Sequence, residues 1–143
     1  MKYILDTNVF IKWIEEPELV KSKIEEKIFS SDNEIFMLSI TYYQQYRYYL
    51  LKNLKNYIES LNKLVEAFGI FFLNDIKFFN TASDIWARLT SKYGKEHGVE
   101  DADIFIAAVS IVKEMTTITF DSDFDRIKEV REDLEYEKWE IKS

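Results

Sequence analysis

Met1-Lys2-Tyr3-Ile4-Leu5-Asp6-Thr7-Asn8-Val9-Phe10 opens the chain, and its reading decides the rest. A short apolar run, Tyr3 to Leu5, stops at an acid. Thr7 and Asn8 follow, and apolar residues then return at helical spacing as Val9, Phe10, Trp13 and Ile14. An open α/β sheet presents a working carboxylate in this way, because its ligands sit in the crevice outside the carboxyl ends of parallel strands, where the next helix begins. Asp6 has no apolar neighbour to pack against, so it is either a turn residue or a functional group.

Working outward, Pro17 starts a second short helix over Glu18–Phe29, and Ser31-Asp32-Asn33 reads as a turn. Ile35-Phe36-Met37-Leu38 is a continuous apolar run and reads as a buried strand. Thr41-Tyr42-Tyr43-Gln44 has the form of a capping box. It opens a long helical tract that Gly69 ends after Phe68. Ile70–Leu73 reads as another short buried strand, Asp75–Tyr93 as a helix, and Gly94–Gly98 as the loop after it. Asp101-Ala102-Asp103 opens the next helix, with Ile104, Ile106, Ala107, Ala108 and Ile111 on its core face. Thr116–Phe120 is a strand that, like the first, ends on an acid, in Asp121-Ser122-Asp123-Phe124. A short helix to about Arg131 and an alternating segment, Tyr136–Ile141, complete the order. Strands alternating with helical patterns imply βαβ units, an α/β class and a mainly parallel sheet. One domain over residues 1–143 is expected, without internal repeats.

Composition narrows the function classes. A chain of 143 residues, 47% hydrophobic and 31% charged, has the makeup of a folded globule and can bury roughly 70% of its unfolded surface. It has no cysteine, so thiol nucleophiles, disulfides and thiolate metal sites are excluded. No apolar run reaches membrane-spanning length and no signal-peptide pattern opens the chain, so a cytoplasmic protein with no membrane partner is expected. The net charge of −7 argues against a broad nucleic-acid-binding surface. It is compatible with a nuclease whose acids gather at a metal site, because bound cations reverse the local potential. With three glycines and one proline, the chain has no glycine-rich phosphate loop.

Acids stand where strand meets helix, or at a helix start, in three places: Asp6, Asp101/Asp103 and Asp121/Asp123. Mg²⁺ and Mn²⁺ take carboxylate and water oxygens in octahedral geometry. Such a site lowers the pKa of a bound water and stabilises charge on phosphoryl oxygens. The competing reading is simple helix capping, for which Asp is favoured. Capping is the preferred reading for Asp101 alone; for Asp6 and Asp121, each following an apolar strand, the functional one is preferred.

Three stretches, Asp6-Thr7-Asn8 after Tyr-Ile-Leu, Asp103-Ile-Phe-Ile-Ala107-Ala108, and Thr119-Phe-Asp121-Ser-Asp123-Phe124, resemble the motifs of PIN-domain ribonucleases, in particular the toxins of VapBC toxin–antitoxin pairs. Order, spacing and length agree over nearly the whole chain. The resemblance implies a three-layer α/β/α sandwich around a parallel sheet and Mg²⁺- or Mn²⁺-dependent endoribonuclease activity. It also implies a homodimer and a small antitoxin partner. Position by position, it makes Asp6, Asp103 and Asp121 the metal-site acids, Asp123 an assisting acid, and Asn8 and Thr119 polar supports. The chain departs from the pattern where the family usually carries Thr-x-x-Glu: here Gln44 brings an oxygen but no charge. This keeps open a second reading, a PIN-fold module with weak or no catalysis that binds a protein or RNA. A haloacid-dehalogenase type of phosphatase is disfavoured, because Asn8 stands where its Asp-x-Asp motif needs an acid.

Other signals carry less. The run Tyr42, Tyr43, Tyr46, Tyr48 and Tyr49 beside Arg47 and Lys52 suits base stacking or a protein interface, but helical packing alone explains it. Lys12, Arg47, Lys52 and Arg88 are candidates for RNA phosphates, against the plain reading of solvated surface charges. The single histidine, His97, is expected to face solvent in a polar, glycine-flanked loop, and with no nucleophile-elbow motif a serine–histidine triad is not expected.

Overall fold

The computed structural model describes residues 1–29 and 32–140. Its sheet is built from β1 (Lys2–Leu5), β2 (Glu34–Phe36), β3 (Thr116–Thr119) and β4 (Tyr136–Lys138). The strand order is β2-β1-β3-β4 and every pairing is parallel. Consecutive parallel strands need helical crossovers, and these are α1 (Thr7–Glu15), α2 (Pro17–Phe29), α3 (Ser39–Leu51), α4 (Lys55–Phe68), α5 (Ile76–Tyr93), α6 (Asp101–Lys113) and α7 (Asp123–Val130).

The apolar run of β1 explains the layering. Ile4 joins a core with Phe78, Ile85, Leu89, Ile106 and Phe124, which come from α5, α6 and α7. Its neighbours Tyr3 and Leu5 point the other way, into a core with Phe10, Ile24, Tyr49 and Leu61 from α1 to α4. A strand covered on both faces carries no polar alternation, which is why Tyr-Ile-Leu reads as continuous. The order places the topological switch between β1 and β3, since the chain leaves β1 to one side and returns on the other. Ligands of open α/β sheets bind at such a point.

Four local expectations are corrected. The helix after β2 begins at Ser39 with Leu38 at its N-cap and no side-chain cap. Thr41 is therefore not a cap but fully buried. The helix starts early because Leu38 pairs with Phe71 in an isolated parallel bridge, and Ser39 donates its N–H to Phe71 O at 2.9 Å, fixing the entry. That bridge is also all that exists of the expected strand over Ile70–Leu73, where Phe72 is 62% exposed. The tract expected to run unbroken to Phe68 is two helices. Asn53 turns the chain with φ of 55° between them, and Leu50 and Leu51 at the end of α3 are exposed. Ser31 of the expected turn and Ile141 of the last alternating segment lie outside the described residues. The fourth correction is His97, 6% exposed: its Nδ1 accepts the Val99 N–H at 3.1 Å, folding the ring back onto its own loop.

Candidate metal centre

Asp6 stands at the carboxyl end of β1 and is the N-cap of α1, with Oδ1 accepting the Thr7 N–H at 2.7 Å. Capping and function are thus not alternatives here, because Oδ2 remains turned to the sheet rim, where it accepts the Thr119 hydroxyl at 2.8 Å. The same Thr119 oxygen accepts the Asp121 N–H at 2.9 Å. One hydroxyl at the end of β3 therefore ties the ends of both central strands together. Asp121 then bends back, its Oδ1 accepting the Asp123 N–H at 2.9 Å, and this turn starts α7. Asp103 arrives from the other layer, in the first turn of α6, whose buried Ala102, Ile106 and Val109 anchor it against the core. Carboxylates at a helix N-terminus are favoured by the exposed N–H groups and the helix dipole.

These elements bring together what lies far apart in sequence. Asp6, Asp103, Asp121 and Asp123 line one open hollow of about 260 Å³, with Thr7, Asn8, Ile11, Gln44, Gly98 and Glu100. Within it, Asp103, Asp121 and Asp123 each offer an oxygen within 4.8 Å of the others. Asp6 sits beside this trio, 2% exposed. Asn8 Oδ1 accepts the Phe120 N–H at 3.4 Å, holding the β3 exit against α1. The Thr7 hydroxyl lies 3.3 Å from Thr41 Oγ1 and 3.4 Å from Gln44 Oε1, so position 44 reaches the hollow with its amide.

Electrostatics set the character of the site. Burial, and then the charges of Asp6, Asp121, Asp123 and Glu100, push the Asp103 carboxyl up to about 8. Burial likewise raises Asp6 to about 6, against the lowering effect of its hydrogen bonds from Thr119 and Thr7. Among the described residues no lysine or arginine lines the hollow, and compensation comes from Arg126, whose guanidinium pairs with Asp123 and also donates to the His97 carbonyl. A dense set of hard oxygen donors, of which only Asp123 is paired with a cation among the described residues, is the donor chemistry that Mg²⁺ or Mn²⁺ requires. The residues present fit such an ion.

Some expected residues are not brought here. Asp101 is exposed and lies along a separate groove with Trp86 and Phe105. Two residues before Asp103 on a helix it points about 160° away, at 3.6 residues per turn. Lys12 pairs with Glu16, Arg47 lies over the Tyr43 ring at 4.9 Å, and Arg88 pairs with Asp84. None of the three lines the hollow. The sequence reading missed Glu100, Gly98 and Arg126. Their spacing signalled two of them: Glu100 is three residues before Asp103 and Arg126 three after Asp123, the separation at which helical side chains meet.

The profile of the PIN domain matches residues 3–130. No curated protein sequence matches the chain. Among solved structures, a chain of VapBC2 from Rickettsia felis, bound to a DNA fragment from their promoter, superposes with a TM-score of 0.78 at 23% identity, covering 98% of this chain and 100% of that one. VapBC-1 from nontypeable Haemophilus influenzae gives 0.76 at 22% identity, with 97% and 98% covered. VapBC-5 from Mycobacterium tuberculosis, a member of the VapBC family of toxin–antitoxin systems, gives 0.61 at 22% identity, with 96% and 98% covered. At these identities the likeness is one of fold.

Proposed function

The chain belongs to the PIN-domain family, and from that premise we propose that it is a metal-dependent endoribonuclease of the VapC-like kind, hydrolysing phosphodiester bonds of RNA. The observation that carries this is the convergence of Asp6, Asp103, Asp121 and Asp123 on one hollow at the switch point of the sheet. Asp103, Asp121 and Asp123 would hold the ion, with Asp6 beside them. A divalent cation there supplies a water of lowered pKa and charge stabilisation on the phosphoryl oxygens. The chain's own groups do the rest. Thr119 fixes the spacing of Asp6 and Asp121 by hydrogen-bonding both. Arg126 orients Asp123. Asp103, whose carboxyl holds its proton up to about 8, would have to give that proton up for its oxygens to serve as ligands.

The neutral Gln44 on the wall of the hollow supports the second reading, a module with weak or no cleavage that binds a partner. An RNA cleavage assay with Mn²⁺ and with Mg²⁺ separates the two. The nuclease reading expects cleavage by wild type that Asp103→Asn abolishes. Wild type inert under both metals, with Gln44→Glu gaining cleavage, would establish the binding module instead.

The likeness to chains of VapBC toxin–antitoxin systems supports a small antitoxin as partner; a cytoplasmic setting and a homodimeric working state complete the proposal. Among the described residues no helix is long and apolar enough to cross a membrane. Ile76, Phe79 and Trp86 are exposed on α5 with Phe72 just before it, and an apolar patch of that kind marks a protein interface. Light scattering is expected to find a dimer that Trp86→Glu converts to monomer; an unchanged mass in the variant places the interface elsewhere.

A further inference from the structure

Among the described residues the acid hollow supplies no cation and no aromatic ring to the RNA, yet a strand threaded through it must be gripped on at least one side. The neighbouring pocket on the same rim has both. It is an open cavity of about 510 Å³ between the ends of β3 and β4, lined by Phe120, Ser122, Lys138, Trp139 and Glu140. Phe120 and Ser122 are the residues on either side of Asp121, so the two cavities share a wall one residue thick. The Trp139 N–H donates to Thr119 O at 2.8 Å, which fixes the far wall in register with the site. We infer that this pocket seats a nucleobase of single-stranded RNA adjoining the phosphate that is cut, an inference that rests on the ribonuclease reading.

The lining suits that occupant. The Phe120 and Trp139 rings meet edge-on, with centroids 6.5 Å apart and planes at 61°. Trp139 is 9% exposed, so it is a fixed wall, while half-buried Phe120 leaves ring surface for a base to stack on. Lys23 lies 5.3 Å from the Trp139 centroid, and Lys138 beside it is exposed and pairs with Asp125 at 2.7 Å. One ammonium over the Trp139 ring and a second, exposed one on the pocket wall match a phosphate chain carrying a stacked base. The Ser122 hydroxyl and the Glu140 carboxylate offer hydrogen bonds to a base edge.

The test uses the full chain and single-stranded RNA oligonucleotides. Phe120→Ala is expected to raise KM roughly tenfold, the size expected for one lost stack, and Lys138→Met to raise it through one lost phosphate contact, each leaving kcat within about threefold. Lys138→Met, at an exposed position, guards against a misfolded Phe120→Ala. It should also lower the salt-dependence slope of binding by about 0.7, the value for one phosphate contact on a single strand. An abasic nucleotide next to the cut should raise KM in wild type but add nothing in Phe120→Ala. Ultraviolet crosslinking of 5-bromouridine RNA to Asp103→Asn should map to the peptides holding Phe120 and Trp139. Unchanged KM in both variants with crosslinks elsewhere, while wild type still cleaves through its acids, overturns the base pocket and leaves the nuclease standing. Wild type that neither cleaves nor crosslinks RNA overturns both. Loss of self-association in Phe120→Ala with RNA binding intact assigns the pocket to a protein interface and also overturns it.

Discussion

Asp103 concentrates the chemistry at the scale of single residues. Its carboxyl is held up to about 8 by burial and by the surrounding acids, so the folded state binds its proton more tightly than the unfolded chain does. The sign follows directly: stability from this group is complete below the unfolded carboxylate range, near 4, and is lost as pH rises towards 8. Without metal, Asp103→Asn should therefore gain stability over wild type progressively between pH 4 and 8, by a few degrees at pH 8, about 3–5 °C for each kcal/mol relieved. Thermal melts in EDTA across that range check it; a gap independent of pH would mean that the charge of Asp103 costs the fold nothing. Gln44→Glu works in the opposite sense. A new carboxylate on the wall of the hollow interacts with a divalent ion about 4 Å away by about 8 kcal/mol at an effective dielectric near 20, before desolvation is subtracted. Mn²⁺ should then bind roughly tenfold tighter by calorimetry, while the metal-free protein melts lower. At this scale Asp6, Asp103, Asp121 and Asp123 were legible because each interrupts an apolar pattern or opens a helix. Glu100 and Arg126 carried only the weaker signal of helical spacing from Asp103 and Asp123, which a charged residue at a helix N-cap or on a short polar helix gives on ordinary surface as well.

Secondary-structure elements were legible wherever one physical signal governed them. The buried positions of α5, Phe78, Ala82, Ile85 and Leu89, recur at helical spacing, and its Asp75 cap accepts the Lys77 N–H at 2.9 Å as its residue type suggests. Reading failed where tertiary contacts overrode local pattern. The helix start at Ser39 is set by a bridge to Phe71, more than thirty residues away in sequence, and no capping pattern encodes that. The break between α3 and α4 rests on Asn53, with φ of 55°, inside a run rich in leucine and tyrosine that looks continuously helical. Asn tolerates the left-handed region because its short amide bonds locally, whereas an alanine pays about 1 kcal/mol there. Asn53→Ala should lower stability by about that amount and Asn53→Gly should not. Chemical denaturation measures both; equal stability of the alanine variant would show that the turn relaxes at no cost. His97 belongs to the same class of miss. Glycines at 94 and 98 mark a loop, but the ring is buried by a bond to its own backbone that spacing does not reveal.

The whole molecule is a parallel sheet that separates two cores, and the one place where both layers and both central strands meet is the acid hollow. That arrangement follows from the strand order, which periodicity alone does not give, since short parallel strands can be shuffled without changing any local pattern. It also concentrates a chain of net charge −7 around a point where Asp103 and Asp6 already resist ionisation. A bound divalent ion then acts on the fold as a whole. A ligand at a hundred times its dissociation constant stabilises by about 2.7 kcal/mol, roughly 10 °C for a chain of this length. Diffuse screening does something different, since salt at about 0.1 M weakens exposed charges beyond about 10 Å without filling a site. The two effects part in one calorimetric series. Mn²⁺ at millimolar concentration should raise the melting temperature of wild type, EDTA should reverse it, and NaCl of equal ionic strength should give much less. Asp103→Asn should keep the salt response and lose most of the Mn²⁺ response, because it removes a carboxylate of the trio while leaving the surface charge of the protein nearly unaltered. If NaCl reproduced the Mn²⁺ shift in wild type, the acids would be relieved by the ionic atmosphere alone, and their convergence would not amount to a metal centre.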